Sequence, residues 1–215
     1  MTVWVVVVAA GDGRRFGGLK QFAEIGGRPL VDWSVEAARS VADGVVLVVP
    51  ADVARAEVSD THGADVVIAG GATRTTSVRA GLDAVPGDAE VIVVHDGARP
   101  LASASLFRSV VEAVIAGAAA AVPGVALADT VKRVDDGAVV STVDRNGLMT
   151  VQTPQAFRAE VLRRAHDAGG DATDDAGLVE ARGATVRVVP GDPRNVKVTT
   201  PDDLAMARAL LETEP

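Results

Sequence analysis

The residues with the most recognisable chemistry lie near the first residue of the chain, where a glycine loop is followed by three cations. These residues are Gly11, Gly13, Arg14, Arg15 and Lys20. Both glycines can take positive φ, and without a side chain they let another group approach the main chain closely. Backbone N–H groups after a strand form a cradle for phosphate oxygens, and the cations can neutralise a triphosphate. The pattern favours a phosphate-binding loop over an ordinary strand–turn–helix opening, which is the alternative interpretation.

The spacing of this loop differs from two familiar nucleotide-binding patterns. In Gly-x-Gly-x-x-Gly, the third glycine would fall where this chain has Phe16. The acidic residue about twenty positions on, Asp32, falls in a helical pattern rather than at a strand end. The Gly-x-x-x-x-Gly-Lys-Ser/Thr pattern is also absent. Neither a dinucleotide-binding loop nor a P-loop is therefore indicated.

A second group of polar residues follows an apolar strand predicted over Val91–His95. Asp96 comes directly after it, and ligands of open α/β sheets bind at the carboxyl ends of central strands. Opposite a triphosphate, this carboxylate would hold Mg²⁺, which prefers one or two carboxylates together with phosphate oxygens and water. A helix cap or a turn is the alternative role for Asp96. Arg99 is a candidate anion clamp or a surface arginine, and His95 is interpreted as a structural neighbour.

Two more glycines end the strand predicted over Asp65–Ala69 and precede a helix. The segment 70–78 offers Thr and Ser residues that cap helices well, so a capped helix start is one interpretation. The other is a second wall of the nucleotide pocket. In that case the backbone at Gly71 would face the base, and Ser77 would hydrogen-bond the base or the ribose.

Apolar strands alternate with helical patterns, which predicts a mostly parallel, doubly wound sheet with helices on both faces. Strands are predicted over Val3–Ala9, Gly44–Val49, Asp65–Ala69, Val91–His95, Ala118–Val122 and Thr185–Val189, and helices at about 29–42, 53–59, 103–116, 158–168, 173–181 and 201–211. The fifth strand is expected to end at Pro123-Gly124.

The alternation changes after this strand. Two β-patterned runs, 129–134 and 138–143, flank a turn that ends in Gly137, which predicts a β-hairpin. A two-stranded ribbon is marginal by itself, so we expect this arm, at about 125–147, to lie on a second copy of the chain. The expected organisation is one domain, residues 1–215, with an inserted arm that forms a homodimer.

The composition limits the class of protein. The 215 residues are 48% hydrophobic but 3% aromatic, which suits one large α/β core of small aliphatic side chains. A formal net charge of −8 argues against a nucleic-acid partner but not against a nucleotide held by local cations. Thiolate chemistry is excluded because cysteine is absent. Neither a signal peptide nor a membrane-spanning apolar run is visible, so a cytoplasmic protein without a membrane partner is expected.

Seven short segments along the chain carry a family resemblance. They are Ala9–Arg15 with Lys20-Gln21, Gly70-Gly71 with Arg74, Ser77 and Val78, His95–Pro100, Asp144–Asn146, Thr153–Gln155, Thr173-Asp174, and Asn195–Thr199. In this order they resemble the 2-C-methyl-D-erythritol 4-phosphate cytidylyltransferase family of the non-mevalonate isoprenoid pathway, over nearly the whole chain. The resemblance implies a Rossmann-like nucleotidyltransferase fold and a homodimer joined by the β-hairpin arm.

The resemblance also implies roles for individual residues. CTP would lie on Ala9, Ala10, Gly11, Gly13 and Arg14, with Gly71, Ser77, Asp96 and Ala98 completing the nucleoside pocket and the metal site. Arg15 and Lys20 would bind the phosphates, and with Lys197 and Arg145 they would be the catalytic cations. Methylerythritol phosphate would be held by Asp96, Arg99, Thr173, Lys197 and an Arg145 reaching over from the other subunit.

Three positions depart from the family pattern. The family usually has proline where this chain has Val8 and Leu19, and often an acidic residue where it has Ala72. These departures concern the path of the loop and one contact to the ribose or base, not the chemistry.

The implied reaction joins a phosphate monoester to the α-phosphorus of MgCTP and releases pyrophosphate. A monoester with a second pKa of about 6 is largely ionised at neutral pH, so no general base is required. Catalysis would then depend on positioning and charge stabilisation. Two alternatives stay open: a cytidylyltransferase for another polyol phosphate such as ribitol 5-phosphate, and a nucleotide-binding module without catalytic activity.

Overall fold

The computed structural model describes residues 1–13, 15–55, 61–170 and 172–213. The strands in these ranges are β1 (Val3–Val8), β2 (Glu24–Ile25), β3 (Arg28–Pro29), β4 (Gly44–Val49), β5 (Val66–Ala69), β6 (Val91–Asp96), β7 (Ala120–Ala126), β8 (Val131–Asp135), β9 (Ala138–Val143), β10 (Met149–Val151), β11 (Gln155–Arg158) and β12 (Val186–Pro190). The α-helices are α1 (Leu30–Arg39), α2 (Ala51–Arg55), α3 (Arg74–Ala84), α4 (Ala104–Ile115), α5 (Ala159–Asp167), α6 (Asp175–Glu180) and α7 (Pro201–Glu212). Within the same ranges, no helix combines the length and the hydropathy needed to cross a membrane.

The main sheet has the order β10-β7-β11-β6-β1-β4-β5, with β12 paired to β7. At its centre, β1 runs parallel to both β4 and β6. Alternate residues of β1 supply two cores, because Val5 and Val7 pack on the side of α1 and α4, whereas Val6 packs on the side of α3 and α5. Burial on both faces explains why β1 is a run of valines. The predicted mostly parallel sheet with helices on both faces is confirmed.

The sequence analysis does not predict β10 and β11, which enter the sheet antiparallel. In β11, Phe157 lies opposite Ile92 of β6 and Ala120 of β7, so the strand occupies the middle of the sheet. The strand has four residues, of which the first three are buried regardless of which face they occupy. So short a run, directly after Pro154, carries no periodic signal.

The expectation that the fifth strand ends at Pro123-Gly124 is wrong, since β7 continues through both residues. Pro123 has no N–H to donate, but its carbonyl accepts from the Gln152 N–H at 2.9 Å. The Gly124 carbonyl accepts from the Gly191 N–H, also at 2.9 Å. The hydrogen bonds between β7 and its neighbours therefore continue past Pro123. The helix expected at 53–59 begins earlier, as α2, and residues 56–60 lie outside the described ranges.

The predicted hairpin is present as β8 and β9, which pair with each other and not with the main sheet. Positive φ at Asp136 (43°) and Gly137 (75°) forms its tight turn. Val134 lies opposite Val139, and these residues are 56% and 62% exposed. One face of the arm therefore presents apolar side chains to solvent in the single chain.

Candidate active site

A cavity of about 400 Å³ opens where β1 and β6 end, between the loop after β1 and the loop before α3. The structure brings nine of the residues singled out in the sequence to its lining: Ala9, Ala10, Gly11, Lys20, Gly71, Ser77, Asp96, Ala98 and Lys197. Carboxyl ends of central strands are where open α/β sheets bind ligands. The position of this cavity therefore agrees with the sequence-based expectation of a phosphate site.

The glycine loop after β1 is shaped by a close approach at Gly13. This residue has a φ of 63°, and a Cβ there would lie 1.8 Å from the Gly18 carbonyl oxygen. Gly11 does not use this freedom, because its φ is not positive. The Gly11 carbonyl accepts a hydrogen bond from Nε2 of Gln21 at 3.2 Å. Gln21 is buried and so braces the loop from below.

The loop before α3 is held by its own side chains. Thr73 and Thr76 form a reciprocal capping box at the start of the helix. The Ser77 hydroxyl accepts from the Gly71 N–H at 3.1 Å and donates to the Thr73 carbonyl at 2.9 Å. The capped helix start is therefore present, and the contacts of Gly71 and Ser77 with a base or ribose stay a prediction.

Asp96 is the charged centre of the cavity floor, and it is 7% exposed. Its carboxylate lies 2.6 Å from Lys197 Nζ, 3.4 Å from Arg74 Nε and 4.0 Å from Arg99 Nε. Burial alone would raise the pKa of Asp96, but Lys197, Arg74 and Arg99 outweigh burial and hold this pKa well below its usual range. The carboxylate is therefore ionised at neutral pH, and the cations around it outnumber it.

Lys20 adds a further cation at the edge of the same cavity. Its Nζ donates to the Val198 carbonyl at 2.8 Å. Burial and the nearby Lys197 lower the pKa of Lys20, and Asp96 offsets only part of this effect. The Val198 N–H donates to the Ala98 carbonyl at 2.8 Å, which ties the segment carrying Lys197 to the turn after β6.

The first turn of α7 anchors this same segment. Asp203 accepts from the Thr199 N–H at 2.8 Å, from the Thr200 N–H at 2.9 Å and from the Thr199 hydroxyl. The bond from the Thr199 hydroxyl contributes most to lowering the pKa of Asp203 to about 2. Lys197, two residues before Thr199, is therefore presented from a fixed piece of backbone although it lies outside regular secondary structure.

Other residues singled out in the sequence lie away from the lining of the cavity. Arg99 lies behind Asp96, with its Nη1 donating to the Asn195 carbonyl at 2.7 Å. Arg15 and Thr173 are exposed, and Gly13 is half-buried. Arg14 lies outside the described residues. Their roles in ligand binding stay predictions.

Arg145 also lies away from the cavity of its own chain. It is exposed, and its Nη1 donates to the carbonyls of Leu127 at 3.0 Å and Asp129 at 3.3 Å, and to that of Ala128. These are neighbouring residues at the base of the arm. A role for Arg145 in the cavity therefore needs a second copy of the chain.

The sequence analysis assigns no role to Arg74, which lines the cavity as the first residue of α3. Its guanidinium lies between Asp96 and the fully buried Asp175, with 2.7 Å from Nη1 to Asp175 Oδ2. Arg74 was named with Gly70-Gly71 among the segments that carry the family resemblance, but without a role of its own. Asp175 offers no such signal, because it lies 101 positions from Arg74 in the sequence.

His95 is a structural residue, as the sequence analysis interprets it. It is completely buried, and burial lowers its pKa to about 3. Its Nδ1 lies 3.2 Å from the Thr153 hydroxyl, which in turn accepts from the Asp96 N–H at 3.0 Å. His95 therefore supports the backbone of Asp96 as a neutral ring.

The acids of the cavity do not form a complete metal cage. In the part of the chain that the structure describes, no three or more His, Cys, Asp or Glu side chains are grouped to hold a metal ion. Asp96 and Asp12 line the cavity, and both oxygens of Asp96 contact cations. This donor set fits a Mg²⁺ ion that is mostly bound by phosphate oxygens and water and takes one carboxylate from the protein.

The sheet is open and mostly parallel, which defines a Rossmann-like α/β protein. Its cation-lined cavity at the carboxyl ends of the central strands is a site suited to phosphate-bearing ligands. A family model described as 2-C-methyl-D-erythritol 4-phosphate cytidylyltransferase (IspD) matches residues 3–213. The chain belongs to this family.

Individual relatives agree with the family match. The chain is 47% identical over 216 residues to a 2-C-methyl-D-erythritol 4-phosphate cytidylyltransferase of Rhodococcus opacus, covering 98% of this chain and 95% of the relative. It is 43% identical to a bifunctional enzyme IspD/IspF of Nitratidesulfovibrio vulgaris, covering 97% of this chain and 58% of that one. The crystal structure of the Thermus thermophilus cytidylyltransferase aligns with a TM-score of 0.83 at 37% identity, covering 97% of this chain and 98% of that chain.

Proposed function

We propose that this chain transfers CMP from CTP to 2-C-methyl-D-erythritol 4-phosphate, giving 4-diphosphocytidyl-2-C-methyl-D-erythritol and pyrophosphate. The observation that carries the proposal is the convergence of Lys20, Arg74 and Lys197 around Asp96, in a chain of a cytidylyltransferase family. Two phosphate-bearing substrates repel each other, and cations fixed around their meeting point remove that obstacle.

The chemistry is an in-line displacement at phosphorus. An oxygen of the polyol phosphate forms a bond to the α-phosphorus of CTP, and the bond from that phosphorus to the bridging oxygen breaks. The leaving pyrophosphate keeps the electron pair. Because the attacking monoester is already ionised, no residue has to remove a proton, which suits a site whose histidine is buried and has a pKa of about 3.

The cavity suggests how the cations divide this work. Lys20 and Arg15 would face the triphosphate, close to the loop after β1. Lys197 would leave Asp96 for the second phosphate, helped by Arg99 and by Arg145 from the other copy. The Gly11 and Gly71 loops both line the cavity and would contact the nucleotide.

Asp96 would hold a Mg²⁺ ion in this site, together with oxygens of the triphosphate. Once bound, the ion would neutralise part of the charge on the triphosphate. Lys197 and Arg74 orient the Asp96 carboxylate, and the Thr153 hydroxyl accepts from the Asp96 N–H.

The function is tested by offering CTP, ATP, GTP and UTP with methylerythritol phosphate and with ribitol 5-phosphate. Pyrophosphate release gives the rate, and phosphorus NMR identifies the nucleotide–polyol product. The proposal expects product from CTP and methylerythritol phosphate. Product only with ribitol phosphate would assign the chain to another polyol phosphate, and nucleotide binding without product would indicate a non-catalytic module.

The single domain with its inserted arm is proposed to work as a homodimer. The exposed Val134 and Val139 form the kind of apolar surface that a second copy would cover. We expect Val139→Asp to shift the protein from dimer to monomer in sedimentation velocity and to reduce activity with it. The matched change Ser141→Asp controls for charge on the arm, because Ser141 lies opposite Arg133, on the other face of the hairpin from Val134 and Val139. An unchanged dimer in Val139→Asp would exclude this face from the contact.

The lowered pKa of Lys20 predicts a pH effect. We expect kcat/KM to fall on the alkaline side at a pH below 10.5, the ordinary lysine value, because deprotonation removes a cation that faces the phosphates. Lys20→Arg should move this limb to higher pH, since a guanidinium stays protonated. Profiles of kcat/KM for both proteins provide the measurement. A limb that stays in place in Lys20→Arg would assign it to a different group.

A further inference from the structure

A chain of polar contacts runs from the cavity floor to a buried pair on the far side of α3. Arg74 Nε lies 3.4 Å from Asp96 Oδ1, and its Nη1 donates to Asp175 Oδ2 at 2.7 Å. The other oxygen of Asp175 lies 3.0 Å from His166 Nε2. The side chains of Asp175 and His166 are each 1% exposed, whereas that of Arg74 is 25% exposed. Arg74 therefore joins the cavity to the interior.

Asp175 is fixed in place independently of Arg74. It is the first residue of α6, whose cap, Asp174, accepts from the Gly177 N–H at 3.0 Å and from Gln155 Nε2 at 2.8 Å. The Ala176 N–H donates to Gln155 Oε1 at 3.2 Å. Gln155 belongs to β11 in the middle of the sheet. The start of α6, which carries the carboxylate that holds Arg74, is thus tied to a central strand of the sheet.

Asp175 does not line the cavity and has no contact with a ligand to offer. Burying a carboxylate costs free energy that only close partners offset, and apolar groups of similar size often serve stability as well. A contribution to the stability of the fold therefore does not explain why position 175 carries a carboxylate. Its partner Arg74, in contrast, faces the ionised Asp96 at the point where the substrates would meet.

The contacts of Asp96 show what a fixed Arg74 does. Lys197 is the nearest cation to Asp96, at 2.6 Å, and the proposed function requires Lys197 to turn toward a phosphate. When it turns, Asp96 loses its closest partner. Arg74, held from behind by Asp175, stays beside Asp96 and keeps the carboxylate ionised and oriented.

We propose that Asp175, supported by His166, is a positioning residue that holds Arg74 against Asp96 while Lys197 engages the substrate. The inference rests on the proposed function for its catalytic consequence. Arg74 then acts through its planar fork, which serves two carboxylates at once. A lysine ammonium carries the charge but lacks the fork.

Arg74→Lys and Asp175→Asn are the direct tests. Each should lower kcat by about 10²-fold, the usual loss when one preorganised donor is removed, and change KM for CTP by less than about threefold. Arg79→Lys is the matched control, because Arg79 also lies on α3 and donates to the His166 carbonyl at 2.9 Å but stays outside the cavity. The kcat of Arg79→Lys should stay within about threefold of the wild-type value. Arg74→Lys keeps a cation beside Asp175, so it tests the inference even if Asp175→Asn fails to fold. Full activity of Arg74→Lys would overturn the inference.

The double variant Arg74→Lys/Asp175→Asn distinguishes a positioning role of Asp175 from a general contribution to stability. If Asp175 acts only through Arg74, the double variant loses no more activity than Arg74→Lys alone. If the two losses of kcat multiply to about 10⁴-fold, Arg74 and Asp175 act independently, and the inference is overturned.

A measurement without turnover completes the test. In NMR relaxation of the free protein, the Arg74 Nε–H should be rigid in wild type and in Arg79→Lys, and mobile in Asp175→Asn. An equally rigid Arg74 in Asp175→Asn overturns the inference. A wild-type protein that shows this pattern but transfers no CMP contradicts the proposed function and leaves the positioning role standing.

Discussion

Replacing Lys20 with alanine is expected to lower kcat/KM for CMP transfer by about 10²-fold or more while the fold stays intact. Lys20 lies where the triphosphate would enter the cavity, and burial reduces the screening of its charge by water. Its removal leaves the charge that builds on the α-phosphoryl group and the pyrophosphate without a nearby partner. The fold should persist because the side chain contributes a single hydrogen bond, to the Val198 carbonyl, among the contacts that the structure describes.

The measurement is steady-state pyrophosphate release by Lys20→Ala, together with its thermal unfolding midpoint. Arg164→Ala is the control, since this arginine lies on α5 with a side chain that is 72% exposed, and it should keep wild-type activity. Lys20→Ala activity within about threefold of wild type would correspond to less than about 1 kcal/mol of barrier. That result would refute the role of Lys20.

Mixing Arg145→Ala with Lys20→Ala is expected to restore about a quarter of wild-type activity from two variants that are each nearly inactive. Arg145 does not reach the cavity of its own chain, where its Nη1 contacts carbonyls at the base of the arm. In a mixed dimer, one site would combine Lys20 of the first chain with Arg145 of the second, and this site would be complete. Random mixing places half of the dimers in this state, each with one working site.

The experiment unfolds and refolds the two variants together, so that subunits exchange fully, and then measures pyrophosphate release. Mixing Lys20→Ala with Lys197→Ala is the matched control, because both residues line the same cavity and no mixed dimer then has a complete site. Mixed Arg145→Ala and Lys20→Ala dimers without activity would show that Arg145 does not act across the interface. Restoration in the control as well would show that refolding, not complementation, raised the rate.

Part of the site is local in the sequence and was therefore predictable. A valine-rich strand buried on both faces, followed directly by glycines, places the residues from Ala9 to Gly11 at a sheet edge whatever the rest of the chain does. The same reasoning holds for Asp96, the last residue of β6, and for the capped start of α3 at Thr73. Because each of these features joins one strand to its own loop, short-range patterns were enough.

Other parts required contacts between distant segments. Arg99 was expected in the cavity but turns behind Asp96 to the Asn195 carbonyl, 96 positions away. The middle strand β11 gave no pattern because its burial comes from neighbours on both sides. Residues whose role depends on such partners show nothing unusual in their immediate sequence.

By itself the sequence determined the parallel strands β1, β4, β5 and β6, the two helical layers and the loops that supply Gly11, Lys20 and Asp96, since strand burial and turn chemistry act over a few residues. Only the tertiary structure decided that Asp175 stands behind Arg74, and that Arg99 turns to the Asn195 carbonyl. The physical reason is that charge pairing acts through space at a few ångströms. Which charges come that close depends on how the helices pack, and spacing along the chain does not encode it.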